Sequence, residues 1–215
     1  MMNMSSPDQL LNDLEQTKLV AIVTIPDAGL AVPLASALLD GGVKFMEITF
    51  RNDQATAALK ALQEAGLPIC YGAGTVRSIE LAEIAIDAGA QYLVAPGFNP
   101  AIVKWALDRE ILILPGVDST LGIELALDAG LKYLKMYPAA EMGGPKWLKA
   151  IKDPYFDVKF LPTGGVSLDN LKEYLDCPNV FAIGGSFLAP KDMIQEQRFE
   201  DITAVCVNAK EIVES

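Results

Sequence analysis

Tyr133-Leu134-Lys135-Met136-Tyr137-Pro138 is a run of large apolar side chains interrupted by one lysine and closed by a proline. Its length, aromatic content and terminal proline predict a buried strand. Strand side chains alternate in direction, so Leu134 and Met136 share one face while Tyr133, Lys135 and Tyr137 share the other. An ammonium aimed into a protein interior is costly unless paired or neutralised, and a neutral lysine amine is a nucleophile. On these grounds alone Lys135 is either half of a structural ion pair or the reactive group of a site.

Outward from this stretch the same unit recurs. Apolar or β-branched runs occur at LVAIVTI (19–25), FMEITF (45–50), ICYGAGT (69–75), YLVAPG (92–97), ILILPG (111–116), YLKMYP (133–138), KFLPTGG (159–165) and VFAIGGS (180–186). Between them lie Ala- and Leu-rich stretches at helical spacing, among them Gln54–Gly66, Trp147–Ile151 and Leu168–Leu175. A short amphipathic helix at about 7–16 precedes the first run, and Phe199–Val213 follows the last. Strands alternating with helices predict parallel pairing with right-handed crossovers. Eight such units in a chain this short predict a closed (β/α)8 TIM barrel with a short N-terminal helix, in preference to an open doubly wound sheet.

A barrel of this kind places its chemistry at the C-terminal ends of strands. The second run ends Glu47-Ile48-Thr49-Phe50-Arg51, with Glu47, Thr49 and Arg51 on one face and Met46, Ile48 and Phe50 on the other. Helices cover the apolar outside, so the polar face looks inward, as does Lys135 by the same parity. Glu47 and Arg51 lie about 13 Å apart along an extended strand, too far to pair with each other. Glycine-rich endings stand at Gly72-Ala73-Gly74-Thr75, Pro162-Thr163-Gly164-Gly165 and Ile183-Gly184-Gly185-Ser186. Barrels commonly hold a phosphate in the loops after strands 7 and 8, which makes the last two endings an anion-site candidate. Thr75 and Asp118 are also placed to cap the helices that follow them.

The composition narrows the chemistry. The chain has 215 residues, 51% apolar and 21% charged, with no low-complexity tract, which predicts one catalytic-size unit spanning 1–215. The formal charge of −11 argues against a nucleic-acid partner. No apolar run approaches the ~20 residues that span a bilayer, and the opening residues lack signal-peptide order, so no membrane partner and a cytoplasmic location are expected. Cys70, Cys177 and Cys206 are odd in number and widely spaced, suggesting neither disulfide nor zinc site. There is no histidine, so acid–base work falls to carboxylate, lysine, tyrosine or water.

GGVKFMEITFR (41–51), GAGTV (72–76), AGAQYLVAPG (88–97), LPGV (114–117), LKYLKMYPA (131–139), LPTGG (161–165) and IGGSFL (183–188) together resemble, in order and spacing, the class I 2-keto-3-deoxy-6-phosphogluconate (KDPG) and 4-hydroxy-2-oxoglutarate (KHG) aldolase family. The resemblance implies a Schiff-base lysine at Lys135 and an acid–base carboxylate at Glu47. It implies that Arg51 and Thr75 hold the substrate's carboxylate end and that Thr163 lines the site. It also places Pro96 at the substrate, and Gly164, Gly165, Gly185 and Ser186 in phosphate-binding loops. A 2-keto acid substrate, no cofactor, no metal and a homotrimer are implied as well. Two positions depart from the family's usual pattern. Met136-Tyr137 stands where Phe-Phe is common, adding a hydroxyl near the substrate, and Asp118-Ser119-Thr120 replaces the usual residues after strand 5. Cleavage of KDPG is the expected activity, with 4-hydroxy-2-oxoglutarate or 2-keto-3-deoxy-6-phosphogalactonate as alternative substrates. A non-catalytic pyridoxal-phosphate binding barrel is the alternative from another class.

Overall fold

The computed structural model describes residues 6–215. Helix α1 (Pro7–Thr17) starts where the Ser6 hydroxyl accepts from the Gln9 amide at 3.2 Å, and Pro7 supplies a helical φ without needing its own N–H partner. Lys18 ends it in a left-handed conformation. The strands follow: β1 (Leu19–Val23), β2 (Phe45–Thr49), β3 (Cys70–Gly74), β4 (Leu93–Val94), β5 (Ile113–Leu114), β6 (Gly116–Val117), β7 (Tyr133–Met136), β8 (Lys159–Pro162) and β9 (Ile183–Gly185).

All pairings are parallel, in the order β5-β4-β3-β2-β1-β9 and β6-β7-β8. Parallel bridges Phe160 to Val180 and Thr163 to Gly184 join β8 to β9. At the other seam β5 and β6 are two halves of the expected fifth strand, parted at Pro115. Proline has no N–H to donate, so the ladder breaks there. Its carbonyl still accepts from the Lys135 amide at 2.9 Å. With β5 and β6 taken as one, eight parallel strands form the ring of a (β/α)8 barrel, as expected.

The helices between strands are α2 (Ala31–Asp40), α3 (Ala55–Ala65), α4 (Ile79–Asp87), α5 (Pro100–Leu107), α6 (Thr120–Asp128), α7 (Gly144–Ile151) and α8 (Leu171–Leu175). After β9 come a 3-10 turn (Ser186–Leu188), a short helix α9 (Lys191–Gln195) that hydrophobic spacing does not reveal, and α10 (Phe199–Glu214). The expected start of α8 at 168 moves to 171, and α7 begins earlier than 147.

Two apolar cores follow from strand parity. Leu19, Ala21, Val23, Met46, Ile48, Leu134 and Met136 pack outward against the helices. Val20, Ile22, Phe45, Tyr92, Val94, Leu114, Leu161 and Phe181 fill the barrel, and Leu10 and Leu14 of α1 close its N-terminal end. The inner filling leaves the polar inward residues at the opposite, C-terminal end.

Candidate functional site

Glu47 occupies the inward face of β2 between Phe45 and Thr49, and Lys135 the inward face of β7. Lys135 Nζ lies 3.3 Å from Glu47 Oε1 and 3.5 Å from Oε2, with the two side chains 6% and 1% exposed. The ring of Tyr137 lies 5.6 Å from Nζ, within cation–π range. Strand register explains how Glu47 reaches the amine. Glu47 is level with Gly72 and Thr49 with Gly74. A methyl at Gly74 would collide with the Glu47 carboxylate, and one at Gly72 with the Tyr92 ring. The Gly-Ala-Gly ending of β3 thus makes room for neighbouring side chains.

Tyr92, beneath the pair, donates its hydroxyl to the Met46 carbonyl at 3.0 Å. Burial first, then the neighbouring Cys70 and Glu47, push its pKa well above the usual phenol range, so it stays neutral. Thr49 donates to the Val23 carbonyl at 3.1 Å and its oxygen lies 2.7 Å from Thr24 Oγ1, tying β2 to the end of β1.

Beyond the pair opens a cavity of about 380 Å³. Arg51, Thr163, Gly164, Gly165, Gly185 and Ser186, all expected from sequence, line it together with Ile22, Thr24, Tyr137, Val166, Ala189, Lys191 and Ile194. Arg51 donates Nε to Thr75 Oγ1 at 3.3 Å. Thr75 has φ +62°, a strained conformation for a β-branched residue, and stands behind Arg51 outside the cavity lining. Pro96 is also outside it: its carbonyl is packed so closely on Gly116 that a side chain at 116 would collide with it.

Gly164 and Gly165 turn with φ of +95° and +76°. Among the described residues, no backbone carbonyl accepts from the amides of Gly165 or Val166. The Thr163 hydroxyl is buried without a partner, and its room depends on Gly184, where a Cβ would stand 2.7 Å away. Unpaired amides beside an unpartnered hydroxyl suit an anion.

Neither expected helix cap is in place. Ser78 caps α4 instead of Thr75, and Ser119 caps α6 by accepting from the Gly122 amide, while Asp118 accepts from the Ser119 hydroxyl. In both cases the loop runs farther before the helix begins than the first polar residue suggests. Of the cavity residues that sequence reasoning missed, Ile22, Thr24, Val166, Ala189, Lys191 and Ile194, the charged one is Lys191. Its only signal is position, the first charge after the Gly-Gly-Ser turn. A larger cleft of about 460 Å³ lies at the other end, between α1 and the starts of β2 and β3, lined in part by Asp13, Lys44 and Cys70. It contains no buried amine–carboxylate pair.

The fold and site define a (β/α)8-barrel protein in which a buried lysine and carboxylate meet beside an anion-suited cavity. Comparison with known proteins gives the family: residues 10–205 match the model described as Aldolase: KDPG and KHG aldolase, and the chain belongs to that family. It is 41% identical over 200 residues to the 2-dehydro-3-deoxy-phosphogluconate aldolase of Treponema pallidum (strain Nichols), covering 93% of this chain and 95% of the relative. It is 38% identical over 196 residues to the KHG/KDPG aldolase of Escherichia coli (strain K12), covering 91% and 90%. The crystal structure of the Legionella pneumophila KDPG aldolase, with pyruvate captured at low pH as a covalent carbinolamine intermediate, matches with a TM-score of 0.90 and 33% identity over 95% of this chain and 98% of that one.

Proposed function

We propose that this aldolase splits 2-keto-3-deoxy-6-phosphogluconate into pyruvate and glyceraldehyde 3-phosphate through a Schiff base on Lys135. The observation that carries the assignment is the buried pair, Lys135 Nζ 3.3 Å from Glu47 Oε1. An ordinary lysine, with pKa ~10.4, is almost wholly ammonium at neutral pH, so it must lose a proton before attacking. Glu47 is placed to take it. The amine adds to the C2 carbonyl, and loss of water from the carbinolamine leaves an iminium. Removal of the C4 hydroxyl proton, by Glu47 directly or through water, then breaks the C3–C4 bond. The electron pair passes to the iminium, giving an enamine and the free aldehyde. Protonation at C3 and hydrolysis release pyruvate and the lysine.

Arg51, steadied by Thr75, has the planar fork that would hold the substrate carboxylate and turn its carbonyl toward Lys135. Thr163 and the Gly164-Gly165 and Gly185-Ser186 turns form the proposed seat of the distal phosphate. Pro96 would act on the substrate only through the shape of the barrel rim. The Escherichia coli relative carries both substrate names, which favours 4-hydroxy-2-oxoglutarate as a second substrate of the same apparatus.

Borohydride reduction with pyruvate should attach the three-carbon unit at Lys135; an adduct elsewhere, or none, refutes the mechanism. Lactate-dehydrogenase-coupled assays of the gluconate, galactonate and oxoglutarate substrates rank the preference. The proposal includes a cytoplasmic homotrimer, a state compatible with the exposed Ile84, Leu107, Leu121 and Leu125 on α4, α5 and α6. Light scattering should give three times the chain mass of 23.1 kDa.

A further inference from the structure

We infer that Lys191 is the side-chain cation for the distal phosphate and sets the preference for phosphorylated over unphosphorylated 2-keto acids; the inference rests on the aldolase reading above. The first observation is charge. The chain carries 28 acidic and 17 basic side chains, yet among the described residues the only charged ones lining the cavity beyond the Lys135–Glu47 pair are Arg51 and Lys191, both cations. Their placement fits a substrate charged at both ends. Arg51 follows β2 and Lys191 follows β9, the strands on either side of β1; Ile22 of β1 and Thr24 just after it line the same cavity.

The second observation is that Lys191 is left free by its neighbours. The acids closest to it in sequence, Asp192 and Glu196, are both taken by Arg198, at 2.9 and 2.8 Å, and Asp201 joins them at 3.2 Å. No carboxylate among the described residues lies within ion-pair distance of Lys191. Lys191 is exposed, and Ile194, one turn on and buried, lines the same cavity, so the face of α9 that carries both borders it. The third observation is the buried, unpartnered Thr163 hydroxyl and the Gly165 amide of the same cavity, from which no backbone carbonyl accepts among the described residues. Backbone and hydroxyl donors give shape to an anion seat but little net charge. A lysine on a flexible stem supplies the charge without demanding one orientation.

Steady-state kinetics of the wild type, Lys191→Met and Lys191→Arg on 2-keto-3-deoxy-6-phosphogluconate and on 4-hydroxy-2-oxoglutarate test this. Lys191→Met should lower kcat/KM for the phosphorylated acid by about tenfold, mainly through KM, the size of a charge-assisted contact open to solvent. For the unphosphorylated acid, whose second charge is a carboxylate at C5 that stops short of the position of a C6 phosphate, the change should stay within about twofold, as for a surface charge. Lys191→Arg should recover most of the loss, and inorganic phosphate should inhibit the wild type more strongly than Lys191→Met. A variant that affects both substrates alike, or neither, overturns the role of Lys191 while leaving the aldolase assignment intact. A wild type that does not cleave the phosphorylated acid overturns both.

Discussion

Lys135 and Glu47 satisfy each other's charge at a depth where neither could stay ionised alone at low cost. The pair is therefore a poor source of net stability, because desolvation offsets the attraction, but removing one partner strands the other. Lys135→Met should lower unfolding free energy by about 3–5 kcal/mol, the range for an orphaned buried charge. The double variant Lys135→Met, Glu47→Leu should regain much of that, since two apolar side chains of similar size leave no charge behind. Chemical denaturation of the three proteins measures the coupling, and strictly additive losses would contradict it. Glu47→Gln keeps shape and hydrogen bonding while removing the base. It should lower kcat by about 10²–10⁴-fold and leave the fold unchanged by circular dichroism.

At the scale of the strand, function depends on what β3 lacks. Gly74 and Gly72 are the two gaps in one strand that admit Glu47 and Tyr92 respectively. Neither has a left-handed backbone, so alanine fits the chain at both and only the added methyl matters. Gly74→Ala should displace the carboxylate and reduce kcat by about a hundredfold or more, the share of a misplaced general base, and should also lower Tm because it parts the buried pair. Gly72→Ala should overpack the barrel filling and cost about 1–3 kcal/mol of stability while disturbing activity less. A thermal melt and a kcat measurement on each variant separate the two, and equal profiles would refute the distinction. Alternation made Glu47, Thr49, Arg51 and Lys135 legible in the sequence, because a strand's parity survives any error in its ends. The glycines were visible but their beneficiaries were not, since those lie on adjacent strands at a register no single sequence prints. Pro115 is a break the sequence did contain, its missing N–H being decisive once the run is known to need partners on both sides. Lys191 lay outside every periodic signal, on a helix of five residues.

Across the molecule, burial holds the Cys206 and Cys70 thiols and the Tyr92 phenol neutral, and this sets a limit in alkali. Burial raises the Cys206 thiol from the ordinary 9.0 to about 12. Burial, with the nearby Asp13 second, does the same for Cys70. In the unfolded chain both thiols ionise near their ordinary value, so between pH 9 and 12 the folded state holds more protons than the unfolded one. Stability conferred by the protonated thiols is fully present below pH 9 and is lost as pH rises toward 12, by about 1.4 kcal/mol per pH unit for each fully buried group. Cys206 is wholly enclosed, its Sγ 3.4 Å from the Leu188 carbonyl, whereas Cys70 opens partly onto the cleft beneath α1, so Cys206 should dominate. Tyr92 adds a loss of the same sign, common to the wild type and any cysteine variant. Urea unfolding of the wild type and Cys206→Ala at pH 8, 9.5 and 10.5 isolates the thiol. The variant starts less stable, because a buried sulfur is gone, but its stability should fall less steeply above pH 9, and parallel curves would show that Cys206 ionises as readily in the fold as out of it.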